Sequence, residues 1–190
     1  MSLRYRVDAS RSRLAVQAFA KGLLSAFGHN PRLAARNFEG EAEFDPAAPD
    51  AAWARMSARA DSLFVSDDIS EKDRIEIERV TRGEVLESSR YPEIVFQSAR
   101  VASSRVAEGR YQLRITGELS LRGASRELAI EAMITFEGDE LRAQGGFRLR
   151  LTDFDIRPFS VAGGLLKLKD EVQLSFDILA RASSANAGRS

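Results

Sequence analysis

Apolar and polar residues alternate over long stretches in the second half of the chain. The clearest stretch covers residues 111–121, where every second position is apolar or small: Tyr111, Leu113, Ile115, Gly117, Leu119 and Leu121. The alternation returns at residues 128–136, 147–151 and 172–178. Because successive side chains of a strand point to opposite faces, each stretch predicts a β-strand with one apolar face.

The first half of the chain adds shorter strands and one interruption. Strands are predicted at residues 13–20, 33–44 and 54–64, and a further strand at 93–106 leads into the alternating region. Residues 69–86 break the alternation: they are dense in charge, and Ile69, Ile77 and Val80 fall near helical spacing, which predicts one or two helices. Gly109, Gly123 and Gly138 mark tight turns between the later strands. The pattern therefore predicts an all-β fold, an eight-stranded antiparallel barrel with a helical insertion.

Length and charge limit the organisation of the chain and its partners. The 190 residues suit one domain. We expect the barrel at residues 1–182 and a disordered tail at 183–190, which are small and polar. Basic and acidic residues both number 28, and this balance argues against a dedicated nucleic-acid-binding protein, which would carry a basic excess.

The residue types available exclude several kinds of chemistry. The chain has no cysteine and a single histidine, so disulfides, thiolate nucleophiles and multi-histidine metal sites cannot form. No metal site and no catalytic residue is predicted. No stretch approaches 18 apolar residues, so no transmembrane helix and no stable membrane insertion are expected. The N-terminal residues show no apolar signal region, so a cytoplasmic location is expected; a processed form would be periplasmic.

Five short motifs in order along the chain resemble those of the YceI-like family, the lipocalin-like barrels associated with polyisoprenoid binding. Each is weak alone, and their order and spacing carry the resemblance: residues 5–8 followed by Ser12, residues 38–40 with 44–46, residues 91–98, residues 117–125 and residues 153–156. The resemblance covers nearly the whole chain, about residues 5–182.

The resemblance implies an elongated lipocalin-like barrel with a hydrophobic lumen. It implies a long isoprenoid ligand, such as a polyprenyl phosphate or the tail of an isoprenoid quinone, held without catalysis, and no other cofactor. Many members of the family carry a signal peptide for the periplasm, and members are often dimeric. A small hydrophobic ligand is therefore the expected partner, and a homodimer is compatible with the family.

The inward-facing apolar residues are the candidates for lining the lumen. In a ligand-holding barrel the candidates are Leu14, Val16, Phe38, Phe96, Leu113, Ile115, Gly117, Leu119, Ile130, Ile134, Phe147, Leu149, Leu174 and Phe176. The competing interpretation is a solidly packed core, which is the norm for protein interiors. Gly117 is interpreted as a gap on the apolar face, filled either by a ligand or by the side chain of a neighbouring residue.

Three cationic or imidazole side chains are candidates for contacting a polar head group. His29 lies in a glycine-containing turn, while Lys21 and Arg157 lie in presumed loops that flank strands. A basic group there could meet an anionic phosphate. The alternative for His29 is a turn residue bonded to local backbone, and loop cations are mostly solvated.

Two other functions stay open at this point. A barrel enzyme, an isomerase or hydrolase acting on a lipid-like substrate, would need a polar group aimed into the lumen, and His29 is its candidate. A structural or stress-related interaction protein without a small ligand would have no cavity and would expose an apolar patch.

Overall fold

The computed structural model describes residues 2–21, 30–157, 160–161 and 166–183. Within these ranges it has twelve strands and one α-helix. In chain order they are β1 Leu3–Val7, β2 Arg13–Lys21, β3 Arg32–Ala35, β4 Phe38–Phe44, β5 Trp53–Arg59, β6 Leu63–Val65, α1 Glu71–Val80, β7 Glu93–Ala107, β8 Arg110–Leu121, β9 Ala124–Glu137, β10 Glu140–Arg150, β11 Ser160–Val161 and β12 Leu166–Ala182.

Eight of these strands close into a ring. Their order around the ring is β1, β4, β5, β7, β8, β9, β10 and β12, and every neighbouring pair is antiparallel. The pairing of β1 with the end of β12, from Tyr5 opposite Ala182 to Val7 opposite Ala180, closes the ring. The eight-stranded antiparallel barrel predicted from the alternation is therefore confirmed.

The three remaining strands of the main sheet continue ring strands beyond a kink. β2 follows β1 after a 3-10 turn at Ala9–Arg11 and pairs with the earlier part of β12, and β3 and β6 extend the sheet from β2. The single strands predicted at residues 33–44 and 54–64 are thus wrong in one respect, since each is two strands. Arg36 and Asn37 separate the first two strands, and a 3-10 turn at Ala60–Ser62 separates the second two.

Serine hydroxyl groups replace main-chain acceptors at these kinks. The amide of Leu179 donates to Ser12 Oγ over 2.9 Å, and the amide of Asn37 donates to Ser62 Oγ over 3.1 Å. A buried amide without an acceptor is costly, so each hydroxyl lets the chain bend without leaving a donor unpaired.

The helical insertion predicted at residues 69–86 is confirmed and covers an edge of the sheet. α1 is followed by a π-helical turn at Thr81–Val85, and Ser70 caps α1 by accepting from the Asp73 amide. β7 does not pair with β6. Instead the Val65 amide donates to Glu78 Oε1 over 3.0 Å, and Arg82 Nη2 donates to the Leu63 carbonyl oxygen over 2.9 Å. These two side chains form an ion pair with each other at 3.0 Å. They satisfy backbone groups at the edge of β6 that a neighbouring strand would otherwise pair.

Two apolar clusters fill the barrel ends. We call one the aromatic plug: Tyr5, Phe44, Tyr111 and Phe136, whose ring centroids lie 4.8–6.1 Å apart. The other surrounds Phe154 and Ile156, both nearly inaccessible to solvent, and we call it the helix-side core because Val80 belongs to it.

Two segments near the ends of β2 and β12 differ from the sequence predictions. Ser160–Val161 form β11, which pairs with the start of β12. Ser183, assigned to the disordered tail, donates its amide to the Arg4 carbonyl oxygen over 2.8 Å. The rest of that tail lies outside the described residues. Lys21, which was placed in a presumed loop, belongs to β2 by its backbone.

Removal of the Arg82 side chain tests whether it stabilises the edge of the sheet at β6. We expect Arg82→Ala to lower the free energy of unfolding by about 1–2 kcal/mol, because the Leu63 carbonyl and Glu78 lose a partner. Arg79→Ala on the same helix is the control, since Arg79 forms exposed ion pairs, which contribute little to stability, and its loss should change the free energy of unfolding much less. Urea unfolding measures both; equal losses would contradict the role of Arg82.

An ion pair on the outer wall makes stability depend on pH. Arg142 donates to both carboxylate oxygens of Asp177, at 2.7 and 2.6 Å, and this hydrogen bonding holds the pKa of Asp177 below its usual range. A lowered pKa in the folded state stabilises the fold above the carboxyl's ordinary pKa. That stabilisation is lost as pH falls through the lowered value.

We therefore expect Asp177→Asn to cost about 0.5 kcal/mol at neutral pH, because the pair is partly exposed. The difference from the unsubstituted protein should begin to shrink as pH falls below about 4 and should vanish below the lowered pKa of Asp177. Asp139→Asn, an exposed turn residue, is the control and should show no such pH dependence. Urea unfolding across this pH range measures the difference, and a constant difference would contradict the mechanism.

Candidate functional site

A cavity of about 190 Å³ lies inside the barrel. Its walls are almost entirely apolar, and they come mainly from inward-facing positions of the ring strands. Ten of the fourteen residues predicted for the lumen line it: Leu14, Phe96, Leu113, Ile115, Leu119, Ile130, Ile134, Phe147, Leu174 and Phe176. The alternation therefore identified most of the wall, because the parity of each strand decides which side chains point inward.

The remaining predicted lumen residues lie elsewhere. Phe38 is buried in the helix-side core, and Val16 and Leu149 pack against that core. These three residues lie on the inward faces of their strands, as the alternation predicts. At their level the barrel interior is filled with packed side chains. The cavity occupies only part of the interior.

Gly117 is not a gap in the lumen. β7 has a bulge between Ser98 and Arg100, directly opposite Gly117 and Thr116 of β8. A Cβ on Gly117 would collide with the Gln97 carbonyl oxygen and would lie 2.8 Å from Ser98 Cα and 2.7 Å from the tip of the Phe96 ring. The space that the sequence left open is filled by a neighbouring side chain and by the bulged backbone.

Two more inward glycines show the same arrangement. A Cβ on Gly145 would lie 2.7 Å from Phe176 Cζ, and a Cβ on Gly40 would collide with Met56 Sδ. At each site a large side chain from the adjacent strand occupies the position that a Cβ on the glycine would need. The glycines thus let large side chains lie along the wall instead of crossing the lumen, and this keeps the cavity open.

Several lining residues were missed by sequence reasoning. Ala143 and Ile178 line the cavity and lie on the same strand faces as predicted neighbours, so the alternation contained the signal. Met56 lines it from β5, a strand on which no lumen residue was predicted. Ala52 and Val101 also line it, but they lie beside a break in strand pairing that no sequence pattern marks.

The polar side chains at the cavity wall do not enter it. Glu41, Glu43, Trp53 and Ser57 border the cavity from strand positions whose parity points outward. Glu43 accepts hydrogen bonds from Ser2 Oγ and from Trp53 Nε1, and these donors lower the pKa of its carboxyl. Glu43 is thus an ionised surface group, and the inward-facing wall offers no side chain among the described residues for acid–base chemistry.

Of the three predicted head-group residues, the structure describes the side chain of Arg157 alone. Arg157 is exposed and does not line the cavity, and Lys21 belongs to β2 by its backbone. His29 lies outside the described residues. Among the described residues no group of three or more His, Cys, Asp or Glu side chains is arranged to hold a metal ion. No helix within the described ranges is long and apolar enough to span a bilayer.

Comparison with known proteins gives one family. A family model described as the YceI-like domain matches residues 5–180. A UPF0312 protein of Pseudomonas savastanoi pv. phaseolicola is 29% identical over 130 residues, and one of Azotobacter vinelandii is 30% identical over 128 residues. Each match covers 64% of this chain and 62% of the relative's own length.

Solved structures share the fold at low identity. BcnA of Burkholderia cenocepacia superimposes with a TM-score of 0.71 at 18% identity, covering 91% of this chain and 98% of that one. A polyisoprenoid-binding domain from Saccharophagus degradans gives 0.68 at 14% identity, with coverage of 95% and 99%. At these identities the likeness shows the lipocalin-like barrel fold.

Substitution of Gly117 tests its assignment to a strand contact. We expect Gly117→Ala to lower the free energy of unfolding by about 2 kcal/mol or more, because the added methyl meets the backbone of β7. Gly83→Ala is the control: nothing lies within 4 Å of its Cβ position, so it should be neutral or slightly stabilising. Thermal and urea unfolding report both, and a tolerated Gly117→Ala would restore the gap interpretation.

Proposed function

The chain belongs to the YceI-like family, and on that premise we propose that it binds a slender apolar chain inside its barrel without changing it chemically. The observation that carries the proposal is the apolar cavity between the aromatic plug and the helix-side core. A barrel that only needed to be stable would be packed there, since interiors have few voids larger than a water molecule.

The chemistry of the wall restricts the ligand class. A polar group carried into this cavity would lose its hydrogen bonds to water and find no inward side chain to replace them, which costs several kcal/mol. Each buried methylene, in contrast, contributes about 0.8 kcal/mol. The favoured ligand segment is therefore hydrocarbon.

The size of the cavity supports a slim chain over a bulky molecule. Pockets for drug-sized ligands commonly measure about 300–1,000 Å³. The cavity here is about 190 Å³, which suits part of a narrow acyl or isoprenoid chain. The Saccharophagus degradans structure is of a polyisoprenoid-binding domain, and this supports the isoprenoid class. An isoprenoid quinone as the ligand and a homodimeric assembly stay predictions.

The lining also favours binding over catalysis. An isomerase or hydrolase needs a positioned acid, base or nucleophile within hydrogen-bond reach of the reacting atoms. The described wall brings none of these groups inward. We therefore propose a carrier or storage role.

A substitution that fills the cavity tests the proposal. Ala143 lines the cavity, and Ala143→Leu should take the place of about two ligand methylenes. At about 0.8 kcal/mol each this weakens binding of geranylgeraniol about tenfold. Displacement of the fluorescent probe N-phenyl-1-naphthylamine measures the affinity, and native mass spectrometry of freshly purified protein tests for a lipid already bound.

Ala129→Leu is the matched control. Ala129 is exposed and lies outside the cavity lining, so the same added atoms should leave affinity unchanged. Absence of saturable binding by the unsubstituted protein, together with an empty barrel in native mass spectrometry, would refute the proposed function.

A further inference from the structure

Between β5 and β7 side chains replace part of the backbone ladder of the barrel wall. β5 and β7 pair only from Arg55 opposite Gln97 to Arg59 opposite Glu93. β7 continues for ten more residues, to Ala107, and there it pairs with β8 alone. We call the boundary between residues 50–54 and 98–103 the seam.

Two serines hold the seam. The Ala54 amide donates to Ser98 Oγ over 2.8 Å, where a continuous ladder would offer a main-chain carbonyl. Further along, Asp50 Oδ1 accepts from both the amide and the hydroxyl of Ser103, over 2.8 and 2.5 Å. Asp50 belongs to a 3-10 turn at Pro49–Ala51, so this short turn is fastened across the edge of β7.

The bulge in β7 explains why the ladder stops here. Gly117 and Thr116 pair with Ser98 and Arg100, so Ala99 is an extra residue in β7. A bulge bends its strand and disrupts pairing locally. The bend directs β7 away from β5 immediately beyond Gln97.

The cavity reaches the wall at this place. Along an intact wall only alternate residues face inward, but on β4 and β5 the cavity is bordered by runs of consecutive residues, 41–44, 52–54 and 56–58, and the run 52–54 lies at the seam. Val101, beyond the bulge on β7, borders it from the other side. Of the side chains that meet across the seam, Ala52 and Ala54 are small, so little apolar packing has to be broken to separate the strands.

We propose that the seam is the lateral entrance through which the apolar ligand reaches the cavity. This inference rests on the proposed function. Other ring ladders range from the three residue pairs of β1 with β12 to the eleven pairs of β10 with β12. The seam differs in that side chains, those of Ser98 and Asp50, carry the hydrogen bonds across it. The aromatic plug occupies one barrel end, so a ligand arriving there would have to displace four packed rings. Opening the seam requires only the release of hydrogen bonds held by Ser98 and Asp50, which water can replace.

A reversible cross-link tests the entrance. Because the chain contains no cysteine, a pair of substitutions introduces the only two thiols. We expect the oxidised, disulfide-linked form of Asp50→Cys/Ser103→Cys to take up and release N-phenyl-1-naphthylamine at least tenfold more slowly than its reduced form. Stopped-flow fluorescence measures both rate constants, and mass spectrometry after thiol alkylation confirms the link.

Ser120→Cys/Ser125→Cys is the matched control. Ser120 and Ser125 face each other across β8 and β9 with their hydroxyl oxygens 2.7 Å apart, away from the seam, so the oxidised control should exchange the probe at the unlinked rate. A second variant needs no cross-link: Ser98→Ala removes the acceptor of the Ala54 amide and should raise the association and dissociation rate constants together, several-fold.

The outcomes separate this inference from the proposed function. If the unsubstituted protein binds no probe, the proposed function is refuted, and the proposed entrance is refuted with it because it depends on that function. If the probe binds but a linked seam exchanges it as fast as the reduced form, or no more slowly than the linked control, the entrance is elsewhere. Unchanged rates in Ser98→Ala would count against the seam independently of any disulfide.

Discussion

The main-chain hydrogen bonding that closes the barrel is the constraint on which the rest of the structure depends. Two successive segments, β1 and β2, share one edge of β12, so the chain must kink between them while the ring stays sealed. At Ser12, and again at Ser62, a hydroxyl oxygen accepts the amide that the kink would leave unpaired. Where the ladder cannot continue at all, beside β6, Glu78 and Arg82 reach across from the helical insertion. The apolar interior is kept from water because each interruption is bridged by a specific side chain.

Alternation predicted the strands and their inward faces because it records the side-chain period of a strand directly. It predicted the eight-stranded ring, the insertion and most of the cavity wall. It could not locate the kinks: the residues at 36–37 and 60–62 are ordinary in composition, and what makes them kinks is the pairing of their flanks with different strands. It could not separate cavity from core either, since Phe38 and Phe96 have the same inward parity but lie at different levels of the barrel.

Gly117 shows the limit of reading a single strand. Its position on an apolar face leaves two interpretations: an empty space in the lumen, or a space filled by the side chain of a residue on the adjacent strand. The choice depends on which atoms of the adjacent strand lie opposite Gly117. Those atoms belong to a bulge in β7, and a bulge is a property of two strands in register. Gly145 and Gly40 repeat the arrangement with Phe176 and Met56. A glycine on an inward strand face therefore predicts a large side chain on the adjacent strand as readily as it predicts an empty space.

The same geometry decides how such a barrel can be selective. The inward side chains that the structure describes offer no directional hydrogen bonds, so on the proposed function affinity grows with buried hydrocarbon and discriminates poorly between chains of similar width. Selectivity then has to come from shape, through the side chains that lie over the glycines, and from the part of the ligand that stays outside. A polar head cannot follow the tail into this cavity without losing its hydration, so it must stay at whichever opening the tail used. On the proposed function, the location of that opening determines which surface residues would meet the head group. At the seam these include Trp53, and beside it lie Glu43 and Arg4, which pair with each other, with Arg4 over the Trp53 ring.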